Sequence, residues 1–120
     1  MEVYKWKHRK GKEVGAGTYT FAHKGGAEPD VEHLGKSYDD FITEGVTYLT
    51  IDEYMLIEQF MWWKFKLHLD VKGWTRTTTL DSDGDVMDGS WDPDDGRCGL
   101  GYDYRVRRNA DYGPRSAVIF

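Results

Sequence analysis

The side chains best placed to do chemistry are seven aspartates, Asp81, Asp83, Asp85, Asp88, Asp92, Asp94 and Asp95, gathered in the stretch DSDGDVMDGSWDPDDG without one basic residue. Carboxylates at alternate positions can converge on a hard cation, and calcium takes about six to eight oxygens. Asp81, Asp83 and Asp85 have the spacing that opens an EF-hand loop. The pattern then fails: the position that needs Gly holds Val86, the position that needs a terminal Glu holds Asp92, and no apolar helix flanks the loop. A calcium-stabilised structural module therefore stands as an alternative only.

The same run has an electrostatic reading. Crowded like charges repel, so they need distance or a positive counterpart. The counterpart can be internal, from Arg97, Arg105, Arg107 and Arg108, or it can be another molecule. Spaced carboxylates offer a lysine- or arginine-lined groove the same sign of charge as a phosphate backbone. Trp91 sits within the run, and tryptophan is a frequent interface anchor. Asp85, Asp88, Trp91, Asp92, Asp94 and Asp95 are accordingly the expected partner-binding residues.

The remaining chemistry is thinner. The histidines are His8, His23, His33 and His68, and no HExxH motif accompanies them. His8 and His23 could meet across an N-terminal hairpin, which gives a second alternative: a small hydrolase or nuclease built on that pair and a carboxylate. The G-x-G of GAGTYTF lacks a third glycine and a following helix, so it is no dinucleotide fingerprint. Cys98 is the single cysteine, which excludes an internal disulfide and a Cys-rich zinc site. Its place beside Leu100 predicts a buried, inert thiol. No serine lies in a nucleophile elbow. No cofactor and no metal ligand set is assigned.

The elements that must carry these groups follow from periodicity. EVYKWKH at 2–8 and GTYTFAH at 17–23 alternate as a strand hairpin. Ser37 with Asp39 and Asp40 reads as the start of a short helix over about 37–45. Thr50 followed by Glu53 is a capping box ahead of an apolar run, which predicts a main helix over about 51–62. WKFKLHLDVK at 63–72 alternates with period two and is assigned to a strand, with one helix running from 51 to 69 as the rival. WTRTTTL and the residues after Asp83-Gly84 form a hairpin that pairs Arg76 with Trp91 and lets Trp74 pack on Trp91. CGLGYDYRV puts Cys98, Leu100, Tyr102, Tyr104 and Val106 on one face, and SAVIF adds a short strand. The fold class is α+β: an antiparallel meander of roughly five to seven strands with one main helix and a second short one, in a single domain over 1–120.

Composition limits the function. An aromatic content of 15% argues for a packed core despite 31% charged residues. A net charge of −5 opposes direct nucleic-acid binding, although Tyr102, Tyr104 and Tyr112 interleave with arginines in a pattern that could stack bases. No secretory signal or membrane span is read, and a reducing cytoplasm suits the lone cysteine. The expectation is a non-enzymatic acidic interaction module. It would be an inhibitor of the type used by phages and mobile elements, blocking a basic surface of a host protein such as a nucleic-acid-binding enzyme.

Overall fold

The computed structural model describes residues 2–8, 17–23 and 29–119. The capping box forms as expected. Thr50 Oγ1 accepts from the Glu53 N–H at 3.2 Å and Glu53 Oε1 accepts from the Thr50 N–H at 2.8 Å, opening helix α2 over Ile51–Phe65. A second box, Ser37 with Asp40, opens the short helix α1 over Tyr38–Phe41, which stops well before Gly45.

Helix α2 runs past the expected end because nothing in WKF stops it. Neither Gly nor Pro occurs between 51 and 72, and the helix ends only where Lys66 takes a left-handed conformation with φ 56°. The Lys66 N–H then reaches the Met61 and Trp62 carbonyls. The expected strand at 63–72 is therefore not formed. Of its supposed inward face, Leu69 alone is buried, while Phe65, Leu67 and Val71 are exposed. Residues 66–73 make a close-packed return, in which Asp70 also has positive φ.

The strands are β1 (Glu2–His8), β2 (Gly17–His23), β3 (Trp74–Leu80), β4 (Val86–Asp92), β5 (Arg97–Asp103), β6 (Tyr112–Pro114) and β7 (Ala117–Ile119). They form a three-stranded sheet in the order β1-β2-β7 and a four-stranded sheet in the order β5-β4-β3-β6. The second sheet is mixed. Trp74 to Arg76 pair with Tyr112 to Pro114 in parallel, which corrects the purely antiparallel meander. The hairpin reverses one residue earlier than Asp83-Gly84: the Gly84 N–H donates to the Asp81 carbonyl, Ser82-Asp83 are the central residues, and Gly84 follows them in the left-handed region at φ 82°. A register shift between Arg76 and Leu80 changes the pairing, so Arg76 lies opposite Asp88 and not Trp91.

Successive residues of β4 point to opposite faces, and both faces are covered. On one, Met87 packs with Leu49, Ile51, Tyr54, Ile57, Met61 and Leu69 beneath α2. On the other, Val86 packs with Tyr38, Phe41 and Tyr48 beside α1. Segment 47–49 bridges the layers: the Leu49 N–H donates to the Arg115 carbonyl, and the Leu49 carbonyl accepts from Thr78. The result is a compact α+β globule with a radius of gyration of 13.4 Å, close to the roughly 13.6 Å expected for this length. Among the described residues no helix is long and apolar enough to cross a membrane.

At the centre lies a closed polar network. Asp70 Oδ1 accepts from Arg115 Nη2, and Oδ2 accepts from the Tyr54 hydroxyl at 2.9 Å and the Thr75 hydroxyl. Arg115 Nε also donates to Thr75 Oγ1 at 2.8 Å, and the Asp70 carbonyl accepts from the Ser90 hydroxyl. Asp70 and Arg115 are fully buried. Burial pushes the Asp70 carboxyl up, and Arg115 opposes that shift.

Candidate functional site

The aspartate run does not form one surface. Asp81, Asp83 and Asp85 lie on the β3–β4 turn, and Asp92, Asp94 and Asp95 lie on the β4–β5 turn. The seven residues of β4 separate these turns by roughly 20 Å. Each turn is organised by its own first aspartate. Asp81 Oδ1 accepts from the N–H groups of Asp83 and Asp85, and Asp92 Oδ1 accepts from those of Asp94 and Asp95. Such Asx turns are a common reason for Asp at a loop.

The expected partner-binding set therefore divides. Asp94 and Asp95 are exposed, while Trp91 and Asp92 are half-buried beside them. Asp85 belongs to the opposite end of the strand. Asp88 is buried and cannot meet a partner: it faces Arg76 across the ladder, and its carboxyl is pushed up to about 7, chiefly by desolvation, with Arg76 opposing and Asp103 adding to the rise. Gly101 makes room for it, since a Cβ there would lie 2.7 Å from Asp88 Oδ1.

The arginines do not neutralise the run either. Arg105 pairs with Asp39 at 3.1 Å, Arg108 grips Asp40 through Nε and Nη2 at 2.7 Å each, and Arg107 pairs with Asp103 at 3.4 Å. Of these four arginines, Arg97 alone pairs with the run among the described residues, at 3.5 Å from Asp95, and both partners are exposed. Arg108 holds the Asp40 carboxyl well below the usual carboxylate range. Three arginines are thus spent on α1 and the end of β5 and not on the 92–95 turn.

Beside that turn lies a cleft of about 430 Å³ lined by Glu58, Gln59, Trp62, His68, Trp91, Gly96 and Cys98. Its wall is a three-ring stack. His68 lies parallel to Trp62, with centroids 4.3 Å apart, and to Trp91, with centroids 3.4 Å apart. Trp91 therefore packs on His68 and not on Trp74, which stacks on Tyr112 instead. His68 Nδ1 hydrogen-bonds Glu58 Oε1 at 2.5 Å, and Glu58 Oε2 accepts from the Leu69 N–H at 2.8 Å. The reversal at Lys66 brings Glu58 and His68 together. A strand over 63–72 would keep His68 away from Glu58, so period-two alternation hides this site, and the adjacent Trp62-Trp63 with nearby Trp91 is the signal the sequence carries for it.

Cys98 is exposed on β5, contrary to the expected burial, because the face formed by Cys98, Leu100, Tyr102, Tyr104 and Val106 is turned outward. Its thiol is nevertheless pushed up by partial desolvation and by the charges of Glu58 and Asp70, which disfavours the nucleophilic thiolate. The aromatic wall of the cleft can stack a planar or cationic group. Trp62 already carries a cation on its ring, the Lys66 ammonium at 5.2 Å.

Two other expectations meet the geometry. His8 pairs with Gly17 and His23 with Glu2, so the backbone places these histidines at opposite ends of the β1–β2 ladder. Asp81, Asp83 and Asp85 do not form a convergent metal group. Among the described residues, the one group of three potential metal ligands within 4.8 Å of one another is Asp30, Glu32 and His33. Comparison with protein-family models, curated proteins and solved structures finds no match to this chain.

Proposed function

We propose that this chain is a non-enzymatic binding module for a basic segment of a partner protein. An arginine or lysine of that partner seats in the Trp62–His68–Trp91 cleft, and Asp92, Asp94 and Asp95 hold its flanking charges. The observation that carries the reading is adjacency: Trp91 is a wall of the cleft and the residue before Asp92, and Gly96 lines the same cleft. A cation on an indole face gains about 0.5–2 kcal/mol depending on desolvation, and nearby carboxylates add on-rate and specificity. Such a module would inhibit a nucleic-acid-binding enzyme by occupying its cationic channel, as the sign of its charge predicts. Trp63 and Leu67 are also exposed apolar side chains.

The test is titration with an arginine-rich peptide, followed by tryptophan fluorescence and calorimetry at low and moderate salt. Binding is expected to saturate at one equivalent and to weaken with salt. It is expected to fall about tenfold or more in Trp91→Ala and in the triple variant D92N/D94N/D95N. Trp62→Ala, at an exposed ring, provides a second variant should Trp91→Ala perturb the fold. Unchanged affinity in both tryptophan variants would show that the peptide responds to net charge alone and would reject the cleft.

A further inference from the structure

The chain from Asp30 to Lys36 is pinned at several points. Asp30 precedes a 3-10 turn over Val31–His33, and its Oδ2 accepts from both the N–H and the hydroxyl of Ser116. The Gly35 N–H donates to the Tyr112 carbonyl at 2.8 Å. The His33 ring meets Tyr48 edge-on, with centroids 5.3 Å apart. The loop is thus held in place by β6, by Ser116 and by the aromatic cluster under α1.

Asp30 is 5% exposed, yet its second oxygen, Oδ1, is buried without a hydrogen-bond partner. An unsatisfied buried carboxylate oxygen is costly, and a bound cation would offset that cost. Beside it, Asp30, Glu32 and His33 can each bring one ligand atom to within 4.8 Å of the others. Ligands around a tetrahedral ion with bonds of about 2.0–2.2 Å lie roughly 3.5 Å apart, so modest side-chain rotation closes the set.

We propose that Asp30, Glu32 and His33 form a site for a divalent transition-metal ion, best matched by Zn²⁺. Two carboxylates and one imidazole give a mixed oxygen and nitrogen donor set. That set suits a borderline ion, and among such ions zinc binds more tightly than manganese. It is poor for calcium, which wants many oxygens and no imidazole. Lys36 tunes the site. An ammonium only donates, so Lys36 Nζ, 3.1 Å from His33 Nδ1, competes with the ion for the ring, while it also pairs with Glu44 at 2.6 Å. The ion would displace Lys36 toward Glu44 and clamp the 30–36 loop against Ser116.

Calorimetric titration of the full chain with ZnCl₂, MnCl₂ and CaCl₂ near neutral pH tests this. One Zn²⁺ per chain is expected, with weaker Mn²⁺ binding, negligible Ca²⁺ binding and a rise in melting temperature with zinc. Glu32→Gln and His33→Ala should each weaken zinc binding about tenfold or more, and Lys36→Met should strengthen it. Glu32 is exposed, and the metal-free melting temperature of its variant reads whether the fold is kept. Absence of a saturable one-equivalent zinc isotherm would overturn the proposal, as would zinc binding that neither Glu32→Gln nor His33→Ala alters.

Discussion

Asp88 is the residue at which sequence reasoning and burial part most sharply. Within an acidic run it reads as one more surface charge. Its environment follows from a register that the sequence does not disclose: the irregularity between Arg76 and Leu80 moves Arg76 opposite Asp88, and Gly101 opens the space it fills. A folded-state carboxyl raised from 3.8 to about 7 has a definite consequence for stability. Below pH 3.8 the folded and unfolded chains both keep the proton. As pH rises through the window from 3.8 to 7 the unfolded chain releases it first, so this group progressively lowers stability, by up to about 4 kcal/mol once both forms are ionised. Asp88→Asn should therefore lose less stability than the parent between pH 5 and pH 8 in urea unfolding. Parallel pH profiles for the two proteins would remove this account. The same lesson applies to His68, whose partner Glu58 is ten residues away and is met only because the chain reverses at Lys66.

At the scale of elements, caps were readable and endings were not. Thr50-x-x-Glu53 and Ser37-x-x-Asp40 both close reciprocal hydrogen bonds, because capping is a local matter of side chain and backbone. The end of α2 was misplaced because period-two alternation over 63–72 resembles a strand, and only tertiary packing decides between the two. Here Leu69 and Asp70 are drawn inward to the core and the buried network. Likewise, the local pattern of Tyr112 to Pro114 could not announce a parallel pairing with β3. The contact between α2 and β4 has its own test. Gly89 lies under the Tyr54 ring, and a Cβ there would come 2.2 Å from Cε1. Gly89→Ala should force that ring out of the core and destabilise the protein by roughly 1–3 kcal/mol or more, read as a lower urea midpoint. A neutral substitution would mean that helix and sheet are not packed ring against backbone.

For the whole molecule, α+β class and charge character were evident from composition and pattern, but the distribution of charge was not. The run was read as one acidic face, whereas β4 carries its halves to opposite ends and the arginines turn to α1 and Asp103. What unites the layers is the Asp70–Arg115 pair with Tyr54 and Thr75, which joins α2, the 66–73 return, β3 and the link between β6 and β7. Removing one partner of a fully buried pair strands the other charge. Asp70→Ala should cost about 3–5 kcal/mol and lower the thermal midpoint by many degrees, whereas an exposed pair such as Arg97 and Asp95 should matter little. A small loss in Asp70→Ala would show that the pair is not the joint of the structure.

The stretch 112–119 has one more consequence. Through β6 it borders β3, and through β7 it borders β2, so one short ribbon finishes two separate sheets. Peeling it away bares two raw strand margins in a single event, each able to recruit a foreign strand. Keeping that ribbon zipped down, with the Arg115 guanidinium as its rivet, keeps both of those margins covered.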